Sequence, residues 1–358
     1  MTRVYVPCDS SALALGADRV ALAVAAEAQK RGIEVDVVRN GSRGMLWLEP
    51  LVEVETAEGR IGYSNVDEDD VPALFDADLT NGGAHEKRLG VVDTLPWLAK
   101  QRRLTFARIG ITDPLSTDDY VQHGGLEGLR KALETDGDAA CEALLESGLR
   151  GRGGAAFPAG IKWRTVRAAL APQKYIVCNA DEGDSGTFSD RLVMESDPYM
   201  LIEGMIIAGI VTGATKGYIY VRSEYPHSIA TLNRAIDKAR DAGWLGASVL
   251  GSGKAFELEV AKGAGSYVCG EETALLESLE GKRGVVRAKP PVPALVGLFG
   301  QPTVINNVIT LATVPIIFAK GAAFYRDFGM GRSRGTLPFQ IAGNVKQGGL
   351  VELAFGVT

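Results

Sequence analysis

Ser147-Gly148-Leu149-Arg150-Gly151-Arg152-Gly153-Gly154-Ala155-Ala156-Phe157-Pro158-Ala159-Gly160-Ile161-Lys162-Trp163 packs glycines, arginines, an aromatic ring and a lysine into one short segment. Glycines let main-chain N–H groups approach an anion, and Arg152 and Lys162 can supply positive charge. Taken alone the run also suits a glycine-rich turn with solvated basic residues, because short glycine motifs recur by chance. Its meaning depends on the surrounding chain.

From Tyr120 to Gly148 the pattern is helical. Beyond the glycine run, Tyr175–Asn179 reads as an apolar strand, Tyr199–Thr212 as a helix, Gly217–Val221 as a strand, His227–Ala242 as a helix and Phe256–Ala261 as a strand. This alternation predicts a mostly parallel sheet covered on both faces, with ligands beyond the carboxyl ends of its strands. Three further loops fall near such ends. Asn179-Ala180-Asp181-Glu182-Gly183-Asp184-Ser185-Gly186-Thr187-Phe188 follows a strand, and Gly263 to Thr273 leads into a helix ending near Glu280. Thr303-Val304-Ile305-Asn306-Asn307-Val308 is read as the opening of an apolar helix through Ala319. Packing alone rarely gathers Asp181, Glu182, Asp184, Glu271 and Glu272, because close carboxylates repel and raise one another's pKa. Together the loops suit a ring system rich in donors and acceptors, with a phosphate on the glycine run.

The chain has 358 residues, enough for two or three domains of about 100–200 residues. Its 38 basic and 44 acidic residues are interspersed, leaving a net charge of −6 and no basic footprint for nucleic acid. The amino terminus lacks the apolar core of a signal peptide, and no run of about 18 apolar residues predicts a membrane span. A cytoplasmic location is expected. Cys8, Cys141, Cys178 and Cys269 are far apart, as are His85, His123 and His227, so no metal site is encoded locally.

The first 115 residues read as a small α/β unit: strands at Val4–Cys8, Ile33–Val38, Leu51–Glu55 and Arg60–Tyr63, a helix at Gly16–Lys30, and a short helix opened by Asp67-Glu68-Asp69-Asp70. Asn81–Arg88 and Asp113–Thr117 read as linkers. From Phe339 a further unit of strands begins, and the chain is expected to be truncated or partly ordered after it.

The motifs GLRGRGGAAFPAGIKW, CNADEGDSGTF, YVCGEETALLESLEGKR and PTVINNV closely resemble the NADH-binding flavoprotein subunit of respiratory complex I and its relatives in bidirectional hydrogenases and NAD-dependent formate dehydrogenases. The resemblance runs from about Tyr120 to the end. It implies a Rossmann-like FMN-binding domain over 116–330 and the start of a ubiquitin-like (β-grasp) domain over 331–358. By the same similarity, Gly151, Arg152, Gly153, Gly154 and Lys162 would hold FMN. Asn179, Asp181, Glu182, Tyr267, Gly270, Glu271 and Glu272 would bond its ring and ribityl groups, and Asn306 and Asn307 would sit by its phosphate at a helix start. NAD would stack on Phe157 and meet Asp184, Glu272 and Lys289. No side chain is expected to act as a nucleophile, and Asp184 and Glu272 would align the hydride transfer. The acidic groups Asp184 and Glu182 would disfavour a 2′-phosphate. The chain departs from the family pattern at Ala156, Thr165, Asp184, Ser185 and Val292, where glycine, phenylalanine, glutamate, proline and phenylalanine are usual.

A weaker resemblance links residues 1–115 to thioredoxin-like [2Fe-2S] ferredoxins, whose four cysteines would fall at Cys8, Leu13, Ser42 and Leu46. One cysteine of four remains, so the unit is expected to have lost its cluster. This fusion resembles the beta subunit of cytosolic NAD-dependent formate dehydrogenase, the diaphorase of a complex with iron–sulfur and molybdenum partner subunits. The alternatives are the diaphorase of an NAD-linked hydrogenase or complex I-like enzyme, or a scaffold with a decayed flavin fold. In full-length relatives a [4Fe-4S] site follows, which would lie beyond Thr358.

Overall fold

The computed structural model describes residues 1–184 and 186–357. The first sheet has five strands: β1 (Thr2–Tyr5), β2 (Val35–Val38), β3 (Val52–Thr56), β4 (Gly59–Tyr63) and β5 (Arg88–Val91), in the order β2-β1-β3-β4-β5. β1 and β2 are parallel because the helix Ala17–Arg31 crosses between them, and the remaining pairs are antiparallel. One face packs Val4, Val6, Val52, Val54 and Ile61 against Val20 and Val24 of that helix and Leu74 of the helix Val71–Asp76. The stretch Asn81–Arg88, read as a linker, ends in a strand: Arg88 opens β5 and pairs with Tyr63.

The second sheet is wholly parallel and carries the site. β6 (Tyr175–Ala180), β7 (Lys216–Val221), β8 (Glu257–Lys262) and β9 (Thr303–Asn307) stand in the order β8-β7-β6-β9. Ile176, Cys178 and Ala180 point into the main core, with Met205 and Ile206 of the helix Pro198–Thr212 and Leu311 of the helix Val308–Lys320. Val177 faces the other way, with Tyr220, Ile305, Leu275 and Leu276. Alternating side chains are thus buried on both faces, as a parallel sheet requires.

Two expectations are corrected here. Thr303–Asn307 is a strand, not the start of a helix; the β-branched Thr303, Val304 and Ile305 pair with β6, and Asn307 caps the helix that begins at Val308. The helical stretch from Tyr120 to Gly148 is three short helices, Thr117–Gln122, Glu127–Glu134 and Gly137–Glu146. Gly124, at φ +83, breaks the path after the first helix, and Asp136 caps the last by accepting from the N–H groups of Asp138 and Ala139. The helix Ala159–Ala168, inside the glycine-rich run, was not foreseen.

The two sheets are joined by a polar clasp. Glu195, on the helix Ser189–Ser196, accepts from Ser10 N–H and Ser10 Oγ, each at 2.8 Å, and from Ser228 Oγ at 2.7 Å. Gly41 leaves no room beside Ser196, whose Oγ would lie 2.0 Å from an added Cβ. Two hairpins close the chain, β10 (Gly329–Met330) with β11 (Ser333–Arg334), and β12 (Thr336–Ile341) with β13 (Gly349–Ala354).

Candidate functional site

The chain leaves β6 toward β7 on one side, while β9 lies on the other, so a crevice opens beyond the carboxyl ends of β6 and β9. This is the switch point at which open α/β sheets bind ligands. A cavity of about 530 Å³ occupies it. The register sets Cys178 against Asn306 and Asn179 against Asn307, which brings three amide side chains to one edge.

Each wall has a local cause. Arg150 pairs with Pro158 as an isolated bridge, closing the glycine run into a loop in which Gly151 N–H donates to Phe157 O. The N–H groups of Gly153, Gly154 and Ala155 have no acceptor among the described residues. Gly153 runs close to Asn307, since an added Cβ would sit 3.1 Å from Asn307 Cβ. Ala156 adopts φ +52, a left-handed conformation that favours glycine. Lys162 reaches the cavity from the helix Ala159–Ala168 and donates to Glu272 Oε2 at 3.0 Å and Ile305 O at 3.1 Å.

Opposite, Glu271 caps the helix Glu272–Leu279 by accepting from the N–H groups of Thr273 and Ala274. Lys289 Nζ bridges Glu271 and Glu272, at 2.9 Å to each. Burial works against an ionised Glu271, but Thr273 Oγ1, Lys289 and the two backbone donors overcome it and hold the carboxyl down to about 2. Glu272 is held below its usual range in the same way, with Lys162 and Lys289 outweighing its burial.

Of the residues singled out in the sequence, Gly151, Gly153, Phe157, Lys162, Asn179, Gly270, Glu271, Glu272, Lys289, Asn306 and Asn307 line this cavity together. Gly154 stands beside it at φ +102. The others are not among its lining residues. The Arg152 guanidinium donates to Tyr325 Oη and Arg334 O, both at 2.6 Å, while its N–H donates to Thr310 Oγ1. The Glu182 carboxylate is buried and accepts from Ser189 Oγ, the N–H groups of Asp190 and Arg191, and Tyr225 Oη, which anchors the helix Ser189–Ser196. Tyr267 is 79% exposed and lies against Gly183, and Asp184 is exposed on the same loop. Burial raises Asp181 to about 6 against the pull of Arg222. Ser185 lies outside the described residues. Ile161, Thr165 and Val292 line the cavity as well. Ile161 and Thr165 share one face of the unforeseen helix at i, i+4, a spacing that would have exposed them had the helix been recognised.

Residues 144–316 match the Nuo51 FMN-binding domain. The chain is 48% identical over 259 residues to the NADP-reducing hydrogenase subunit HndC of Solidesulfovibrio fructosivorans, an alignment taking in 72% of this chain and 53% of that one. It is 44% identical over 234 residues to the mitochondrial NADH dehydrogenase (ubiquinone) flavoprotein 1 of Dictyostelium discoideum, over 65% of this chain and 49% of the relative. Among solved structures, an NAD⁺-reducing [NiFe]-hydrogenase in the air-oxidized state aligns with a TM-score of 0.61 at 30% identity, covering 99% of this chain and 59% of that chain. The chain thus spans about half the length of these relatives.

The cavity fits the flavin nucleotide for which the matched domain is named. Its volume lies within the range of about 300–1,000 Å³ for small-molecule sites. The N–H groups of Gly153, Gly154 and Ala155, without an acceptor among the described residues, are available to an anion. Asn306 gives its Oδ1 to Trp163 Nε1 at 3.0 Å, leaving Nδ2 without a partner among the described residues. No helix is long and apolar enough to cross a membrane among the described residues, and none of their His, Cys, Asp and Glu side chains form a group fit for a metal.

Proposed function

We propose that this chain is the FMN-bearing unit of a multi-subunit oxidoreductase, exchanging hydride with NAD(H). The observation that carries the proposal is the cavity that brings Gly153 and Ala155, whose N–H groups have no acceptor among the described residues, together with Asn179, Asn306 and Asn307 at the ends of β6 and β9. FMN, when bound, supplies two-electron exchange with nicotinamide and single-electron transfer onward. The protein binds and orients. Gly153, Gly154 and Ala155 would receive the phosphate, with the start of the helix Val308–Lys320 adding its partial positive charge. Asn179, Gly270 and Asn306 would meet the polar edge of the ring and the ribityl chain. Phe157, 47% exposed, offers a face on which the nicotinamide nucleotide stacks, and Glu272 and Lys289 contact it.

Lys162 and Lys289 neutralise Glu271 and Glu272, and Glu182 is sequestered, so rejection of a 2′-phosphate rests on Asp184. NADH is therefore assigned as substrate over NADPH. Comparable oxidation of the two at equal concentration would remove that assignment.

Residues 1–115 we read as a thioredoxin-like unit without its cluster, supported by the strand order β2-β1-β3-β4 with one parallel and two antiparallel pairs. Cys8, whose thiol burial pushes up to about 12, is the one cysteine among the four cluster positions Cys8, Leu13, Ser42 and Leu46. The strand pair β12 and β13 we read as the beginning of a β-grasp domain. Electrons would pass to partner subunits with iron–sulfur centres. Molybdenum in the purified complex would mark formate as their source, and nickel would mark hydrogen.

The test is a visible spectrum of the purified chain, release of FMN on denaturation, and bleaching by NADH. A protein that stays colourless after FMN is added sinks the proposal in favour of a scaffold.

A further inference from the structure

Asp190 is 5% exposed, lies behind the cavity, and is not one of its lining residues. Its Oδ2 accepts from Asn307 Nδ2 at 2.6 Å. Asn307 uses its other amide atom to cap the helix Val308–Lys320: Oδ1 accepts from Ile309 N–H at 2.9 Å and from Thr310 N–H at 3.4 Å. An amide has one accepting and one donating end, so the contact with Asp190 dictates which end meets the helix. Reversed, the amide would turn N–H groups on the helix's own unpaired donors.

The consequence extends to the glycine loop. Gly153 runs close to Asn307, an added Cβ falling 3.1 Å from Asn307 Cβ, and Arg152 N–H donates to Thr310 Oγ1 at 2.8 Å. Both contacts lock the loop to the first turn that Asn307 caps. On its other side Asp190 belongs to the helix Ser189–Ser196, where Glu182 binds the Asp190 N–H at 3.0 Å. Asp190 thus ties the loop after β6 to the end of β9, across the crevice.

We propose that Asp190 is a positioning residue of the flavin site, holding Asn307 in the one amide orientation that both caps the helix and seats the glycine loop Gly153–Ala155 against it. This rests on the FMN reading above. Glu182 accepts several hydrogen bonds and is the better-stabilised anion of the two, so the proton goes to Asp190. Burial and the nearby Glu182 carboxylate push Asp190 well above the usual carboxylate range. A protonated carboxyl accepts through its carbonyl oxygen as an amide does. Asp190→Asn therefore preserves the contact, and Asp190→Leu removes it at similar volume.

The experiment is titration of the apo chain with FMN, followed by flavin fluorescence, for wild type, Asp190→Asn, Asp190→Leu, Asn307→Ala and the Asp190→Leu/Asn307→Ala double variant, with circular dichroism as the check on folding. Asp190→Leu is expected to weaken FMN binding about tenfold, the loss of one buried hydrogen bond, while Asp190→Asn stays within about threefold of wild type. The double variant should bind no more weakly than Asn307→Ala, since Asp190 acts through Asn307. Multiplicative losses in the double variant, or an Asn variant as weak as the Leu variant, overturn the proposal. Should Asp190→Leu fail to fold, Asp190→Ala takes its place: a loss of about tenfold in the Ala variant with the Asn variant near wild type supports the neutral contact, and Ala and Asn variants that bind alike refute it. A wild-type chain that takes up no FMN overturns the site reading itself, whereas variants indistinguishable from a wild type that does bind overturn only the role of Asp190.

Discussion

Lys162 Nζ and Glu272 Oε2 lie 3.0 Å apart across the cavity, although 110 positions separate them in the chain. The pair joins the helix that follows the glycine loop to the helix that Glu271 caps, and Lys289 extends it on the outer side. Removing Lys162 leaves Glu272 with Lys289 alone and takes away a charge-assisted donor at the cavity. Lys162→Met should weaken FMN binding about 10- to 100-fold, since hydrogen bonds to charged groups contribute about 1.5–3 kcal/mol. Equilibrium dialysis checks it, and an unchanged dissociation constant would place Lys162 outside the binding machinery.

Acid should loosen the site through Glu271. Its folded-state pKa, about 2, is below its unfolded value, so its stabilising contribution is complete above about 4.5 and is lost as pH falls from there toward 2. Glu271→Gln should therefore flatten the stability profile across that window relative to wild type. Urea unfolding at a series of pH values measures this; parallel profiles for the two proteins would contradict it.

Ala156 holds a left-handed backbone at φ +52. The left-handed conformation costs a residue with a Cβ about 1–2 kcal/mol, and part of that gain is offset by the greater unfolded freedom of glycine. Ala156→Gly should thus raise stability by about 0.5 kcal/mol. A lower urea midpoint for the variant would show that Ala156 is not strained.

Glu195 carries the clasp between the two sheets. Glu195→Ala leaves Ser10 N–H, Ser10 Oγ and Ser228 Oγ without their acceptor. A loss of about 2–3 kcal/mol is expected, because three donors, the buried Ser228 Oγ among them, lose their shared acceptor. Hydrogen exchange should quicken first at residues 9–14, at the helix Ser10–Ala14. Exchange that rises equally over β6 and β9 would mean the clasp is not local.

Much of the fold was legible because it depends on local patterning. The alternation of strands and helices from Tyr175 onward predicts a parallel sheet, and β6, β7 and β8 appear within about a residue of the expected places. Thr303–Asn307 was misread because a short apolar run before a helix has no periodicity of its own; pairing with β6 decides it. The helix Ala159–Ala168 was hidden by the glycine run that precedes it.

The candidate site divides in the same way. Composition marks the loops that meet, but it does not say which way a side chain turns. Glu182 and Arg152 sit in the right loops, yet one anchors a helix start and the other reaches Tyr325 and Arg334. Nothing local marks Asp190 in the sequence, since its partner Asn307 is 117 positions away.

By itself the sequence determined the residue chemistry of four loops and the order of the elements that carry them, because propensity, periodicity and glycine content act over neighbouring residues. Tertiary structure alone decided that β9 stands beside β6, opening the crevice, and that Lys162, Glu272 and Lys289 meet there. Those contacts depend on sheet order and on the burial of both sheet faces, which no local pattern encodes.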